Sequence, residues 1–209
     1  EGFGPISQVS TAGIGVGNAD PPFTANYESR LRKLIWLNDI AAGCGWLGNY
    51  DIHAIDAALW VIGRRPVAAT GNSRICRANP NGDSHDVSSV VFEYEDGLAH
   101  NHIGQALKNF LPIELSCRVH GLHGHALVNY WDQASFRSSD DAHSGPVENL
   151  YEAGARRNIA TFYRDVTEGR CENPTLERSV DGVLTCVLGR EAAARRVRSA
   201  RIGDDYGDL

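Results

Sequence analysis

From Gly48 to Pro66 the apolar residues recur every three or four positions, and Ile52, Ile55, Leu59 and Ile62 fall on one stripe of a helix. Gly63 follows the last of them and Pro66 forbids continuation, so the helix is expected to stop at about Gly63. A second stripe is polar. Asn49, His53, Asp56 and Trp60 stand at i, i+4, i+7 and i+11, and a turn of about 3.6 residues stacks them on another face. Such a face looks toward water or a cleft.

Upstream, Pro5–Ala12 reads as a strand. Gly13, Gly15 and Gly17 follow it as a dinucleotide-binding loop would. The spacing is GxGxG, however, and Asp20-Pro21-Pro22 stands where a helix should open, so a flexible turn is expected instead. Residues 27–38 read as a short helix or a loop. Downstream of Pro66 the period falls to 2, which predicts strands over 67–75, 87–94, 98–104, 113–120 and 126–131. Glu95-Asp96-Gly97 and Gly121-Leu122-His123-Gly124 are tight turns between neighbours, so the sheet is expected to be largely antiparallel.

Residues 138–145, SSDDAHSG, read as a surface loop. Two helices follow. The first carries Ile159, Phe162, Tyr163 and Val166 and ends at Gly169. The second opens at Asn173-Pro174, and its Leu176, Val180, Val183, Leu184, Val187 and Leu188 predict a wide buried face. Strands in the middle and helices at the flanks imply one α+β domain over residues 1–209. It is an open, mostly antiparallel sheet with helices packed on one face and the other face available for oligomerisation.

Composition changes this picture little. A chain of 209 residues can bury a large core, and its net charge of -6 argues against a general binder of nucleic acid or of membrane surfaces. The five cysteines are odd in number and form no close pair, which fits a reducing compartment better than a disulfide framework. A cytoplasmic location is expected, any export signal lying upstream. The chain contains no methionine and starts at Glu1 almost directly on a strand, so it is expected to be cut from something longer.

The run GNYDIHAIDAALWVIGRRPV, the strand-DG-strand at 90–102, the VHGLHGHA turn at 119–126 and the C-terminal NLYEAGARRNIATFYRDVTEGRCENPTLERSVDGVLTCVLGREAA carry a resemblance. Together they resemble the C-terminal domain of the Gfo/Idh/MocA oxidoreductases, the glucose-fructose oxidoreductase and inositol dehydrogenase family. The resemblance implies a parent with an N-terminal Rossmann domain that binds NAD or NADP, a fragment inactive alone, a small-molecule sugar, polyol or cyclitol substrate, and a homo-oligomer built through the sheet face. It also implies roles. His53 matches the family's helix histidine and is the candidate proton acceptor, a task suited to an imidazole. Asn49 stands where the family commonly has a carboxylate, and it cannot stabilise an imidazolium by charge. Asp56 matches a family aspartate.

Arg30, Trp36, Asn38, Tyr50 and Trp131 are the candidate substrate contacts, being aromatic or many-donor side chains near those segments. Two other readings compete. In one, the sheet serves only assembly and Asn49 marks a member without catalysis. In the other, His100, His102, His120, His123 and His125 converge on a metal; alternation on an open sheet face gives HxH by default, and no metal is expected.

Overall fold

The computed structural model describes residues 3–17, 35–78, 80–147, 149–170, 172–195 and 200–201. The elements in chain order are β1 (Ile6–Gly15), the short α1 (Ile35–Asn38) and α2 (Ile40–Gly43), a π-helical turn (Leu47–Asp51) and α3 (Ile52–Ile62). Strands β2 (Ala68–Arg74), β3 (Val87–Glu93), β4 (Ala99–Ala106), β5 (Glu114–Gly121), β6 (Gly124–Asn129), β7 (Gln133–Ser138) and β8 (Ala142–Pro146) follow. Helices α4 (Leu150–Thr167) and α5 (Leu176–Arg195) and a two-residue β9 (Ala200–Arg201) are the last described elements.

The nine strands form one sheet in the order β8-β7-β6-β5-β1-β4-β3-β2-β9. Every neighbouring pair is antiparallel except β1 with β4, so the α+β class and the mostly antiparallel open sheet are as expected. β1 is central. Its register sets Val9 beside His100 and Val119, Thr11 beside His102 and Cys117, and Gly13 beside Gly104 and Leu115. Side chains alternate across a strand, so these residues share one face, and α3 and α5 cover it. The core joins Val9, Val90, Phe92, Cys117 and Val119 from the sheet to Ile55, Ala58, Leu59 and Ile62 of α3 and to Cys186, Leu188, Ala192 and Ala193 of α5.

Helix α3 ends as its sequence dictates. Gly63 takes φ +78°, a left-handed cap open to glycine without steric cost, and donates its N–H to Leu59 O at 2.8 Å.

Three expectations are corrected. The turn expected at 13–17 is strand through Gly15, because Gly13 and Gly15 leave room for the side chains of Asp51 and Trp46 above them. The loop expected at 138–145 is the end of β7, a turn and most of β8; Ser138 Oγ accepts the N–H groups of Asp140 and Asp141, and backbone pairing alone carries this polar edge. The apolar stripe of α4 is uncovered, and that of α5 is covered only in its C-terminal half, where Leu188 is buried and Leu184 and Val187 are partly buried. Leu176, Val180 and Val183 are exposed, and on α4 so are Ile159, Phe162, Tyr163 and Val166, since no described element crosses them.

Candidate functional site

The π turn and α3 carry polar groups in two opposite directions. Side chains two residues apart on a helix point about 200° apart, so a residue turned into the core sends its second neighbours on either side outward. Asp51 turns inward and is wholly buried, and Asn49 and His53 turn out. The turn is π-helical, one residue wider per turn than an α-helix, and within it a Cβ on Gly48 would meet the Cys44 side chain at 2.6 Å.

On the outward side a run of aromatic rings begins at His53. Its ring centroid lies 5.9 Å from that of Tyr130, which is 5.8 Å from Trp131 and 6.1 Å from Tyr151. Trp131 stacks on Tyr151 at 5.5 Å and donates its indole N–H to Tyr50 Oη at 3.1 Å, and Tyr50 stacks on Trp46 at 4.6 Å. Three segments therefore meet here: the π turn with α3, the turn after β6, and the first turn of α4. Trp131 and Tyr151 remain about half exposed, which leaves the aromatic wall open to a ligand.

Partial burial pushes the His53 imidazole below its ordinary pKa, and the nearby Asp56 charge opposes that shift. Burial raises Asp56, against the Trp60 side chain, His53 and Arg178. Asp56 lies toward α5, lining a cleft with Trp60, Arg64, Arg178 and Asp181, and the Arg178 guanidinium covers the Trp60 ring at 4.2 Å. Burial also raises Tyr50, which the Trp131 hydrogen bond partly offsets.

Of the residues expected at the site, His53, Tyr50 and Trp131 are brought together, Asn49 is half-buried on the same turn, and Asp56 is one turn further along. Asn38 is buried and lines a separate cavity of about 380 Å³ with Leu37, Trp46, Arg77, Ser84 and Asp86. Arg30 lies outside the described residues, as does the side chain of Trp36. Trp46, Tyr130 and Tyr151 went unnoticed in the sequence. The NYW run at 129–131 was the available signal, with Tyr130 beside the Trp131 already singled out.

Beneath the site lies a buried polar chain that the polar stripe did not include. His102 Nε2 is 3.0 Å from Asp51 Oδ2, and Thr11 Oγ1 is 2.9 Å from His102 Nδ1 and 2.8 Å from His100 Nε2. Asp51, His100 and His102 are completely or almost completely buried. The sequence held a signal. Asp51 stands four residues before Ile55, on the stripe that faces the core.

The histidines do not converge as the metal reading requires. His100 and His102 face the helices, whereas His120 and His125 pair on the opposite face of the sheet. Among the described residues no group of three or more His, Cys, Asp or Glu is arranged to hold a metal. Among them too, no helix is long and apolar enough to cross a membrane. Gly13 and Gly15, being strand residues against side chains, form no phosphate cradle, so the donor set for a dinucleotide is not found on β1.

An open, mostly antiparallel α+β sheet with helices on one face is the fold of one class of oxidoreductase C-terminal domains. The chain belongs to that class's family: the profile described as the GFO/IDH/MocA C-terminal domain matches residues 22–127. No curated protein sequence matches the chain. Among solved structures, levoglucosan dehydrogenase in complex with NADH and levoglucosan superposes with a TM-score of 0.71 at 17% identity, over 96% of this chain and 60% of that one. GenD2 from gentamicin A biosynthesis, in complex with NAD, gives 0.66 at 21% identity over 96% and 56%. The aldose-aldose oxidoreductase from Caulobacter crescentus, complexed with glycerol, gives 0.66 at 19% over 96% and 56%. These likenesses are of fold, and the chain spans 56% to 60% of the length of those structures.

Proposed function

We propose that this chain is the substrate-binding and catalytic half of a nicotinamide-dependent oxidoreductase acting on a sugar, polyol or cyclitol hydroxyl. The observation that carries the reading is His53, held outward on α3 at the end of a half-exposed aromatic wall. Polyols and sugars present CH faces that lie flat on aromatic rings, and Trp131 with Tyr50 offers such a platform beside the imidazole.

As a CH–OH carbon becomes a carbonyl, its hydroxyl proton must go to a base. His53, whose partial burial favours the uncharged ring, accepts that proton at a ring nitrogen. Asn49 orients the imidazole or a substrate hydroxyl, and Asp56 supplies at a distance the negative charge that Asn49 lacks. A nicotinamide supplies hydride-accepting chemistry when bound, and in this reading NAD or NADP is held by the N-terminal Rossmann domain of the parent protein. The fragment alone is then inactive. The open sheet face serves a homo-oligomer, and the protein works in the cytoplasm on a small molecule.

Fluorescence titration of NADH and NADPH into this chain, and into the same gene product extended upstream by on the order of 100 to 150 residues, tests the reading. Binding by the extended protein alone, followed by oxidation of a polyol that His53→Ala abolishes, is the expected result. Failure of the extended protein to bind either cofactor overturns it.

A further inference from the structure

We propose that Asp51 is a positioning residue for this site: its carboxylate, bonded to His102 and seated between Gly13 and Gly104, pins the π turn to the sheet and so holds Asn49, Tyr50 and His53 outward on the side of the aromatic wall. The proposal rests on the reading of His53 as the proton acceptor.

The seat is made by two strands at once. A Cβ on Gly13 would fall 1.9 Å from Asp51 Oδ1, and one on Gly104 would fall 2.2 Å from Oδ2. These two glycines are register partners on the parallel pair β1–β4, and the next pair down on the same face is Thr11 with His102. Four residues from two strands are thus shaped around one side chain of the turn. With His102 Nε2–H donating to the carboxylate, the Thr11 hydroxyl donates to His102 Nδ1 and accepts from His100 Nε2–H. Both ends of this chain, Asp51 Oδ1 and His100 Nδ1, are buried with no hydrogen-bond partner among the described residues.

Stability alone explains such an arrangement poorly. A buried ionisable pair is often no better than apolar residues of the same volume, and glycines inside strands weaken them by about 0.5–1 kcal/mol each. What the pair does supply is direction. A π turn holds one residue more than the α-helix it interrupts, and reverting to α geometry rotates one side of it by about 100° relative to the other. A fixed inward Asp51 prevents that rotation. Asn49 and His53, two residues away on either side, then point outward, and Tyr50 keeps its stack on Trp46 and its bond from Trp131.

The test uses the full-length gene product carrying Asp51→Asn, which keeps the shape of the side chain and removes its charge. Folded protein is counted by the stoichiometry of NADH binding. The expected result is kcat per folded molecule reduced at least tenfold, with KM within threefold and NADH affinity within twofold of the unaltered protein. A kcat per folded molecule within twofold of the unaltered protein makes Asp51 merely structural and overturns the proposal. If Asp51→Asn does not fold, His102→Leu removes the bond with the carboxylate still in its seat, and the same thresholds apply. Should the unaltered protein oxidise no polyol, the dehydrogenase reading fails by itself. The imidazole resonances of His53 then decide the proposal: altered shifts and titration in the variant support it, and unchanged ones overturn it.

Discussion

Gly13 and Asp51 fit together through a side chain that is missing: a methyl on Gly13 would sit 1.9 Å from the Asp51 carboxylate. Gly13→Ala therefore overpacks the site and is expected to cost about 1–3 kcal/mol in urea unfolding. In an Asp51→Gly background the same substitution meets only the Cα of that position at 3.2 Å and should cost much less. The non-additivity of the double-mutant cycle measures the fit.

The pH dependence of the proposed reaction follows from His53. Its pKa lies below the ordinary value because burial disfavours the charged ring, so the free base is available down to lower pH than for an exposed histidine. The acid limb of kcat/KM for alcohol oxidation should fall below that ordinary value. Asp56 holds the pKa up, so Asp56→Asn moves the limb further down. An upward movement would remove Asp56 from the electrostatics of the base. A pH–rate profile of the two proteins makes the comparison.

Helix α3 was legible because its period is strong and its stop is a glycine followed three residues later by Pro66, and the central strands were legible because one face alternates apolar. Asp51 was not, although its position four residues before Ile55 puts it on the core stripe; a carboxylate there makes sense only with His102, Gly13 and Gly104, which come from distant strands. The same distance hid the purpose of the GIGVG run. A glycine that frees a turn and a glycine that makes room for a neighbour are identical in sequence. The β7–β8 hairpin was read as loop because its polar residues pack nothing and pair through the backbone alone. For α4 and α5 the helices were foreseen but not their exposure, because an apolar stripe records that something is buried there without recording what covers it.

Acid should unfold this chain partly through His100. Burial pushes its pKa down to about 3, and the neighbouring His102 adds to the shift. Between the ordinary histidine range and pH 3 the unfolded chain binds a proton that the folded chain refuses. The unfolded state then holds more protons, so this contribution to stability is lost as pH falls, at up to about 1.4 kcal/mol per pH unit. Asp51, raised by burial, acts with the opposite sign, since the folded state takes its proton first on acidification. His100→Asn isolates the histidine: its stability should fall less steeply than that of the unaltered protein from pH 6.5 to pH 4 in urea titrations.

The stripe on α4 should matter little to the stability of this chain. Ile159, Phe162, Tyr163 and Val166 are 62% to 72% exposed, and no side chain of that helix is buried. Replacing Ile159 and Phe162 by serine is expected to change the unfolding free energy by no more than about 0.5 kcal/mol each, beyond the small loss of helix propensity. Binding of the apolar dye ANS should drop, because a contiguous apolar surface has been removed. A large loss of stability would mean that α4 is held by packing along this stripe.

Trp131 offers the sharpest separation of binding from chemistry. Its ring lies on Tyr151 and its indole N–H reaches Tyr50 Oη, so it is fixed in place yet half exposed, and neither contact touches His53. If its face is the platform for substrate, Trp131→Ala removes an interaction made equally in the ground state and the transition state. KM for the polyol should then rise about tenfold with kcat little changed, the loss of roughly 1–1.5 kcal/mol expected for an aromatic contact. Tyr50→Phe breaks only the hydrogen bond that orients the indole and should give a smaller rise in KM, about threefold or less. A fall in kcat with constant KM would instead make the ring part of the machinery that holds His53 through Tyr130.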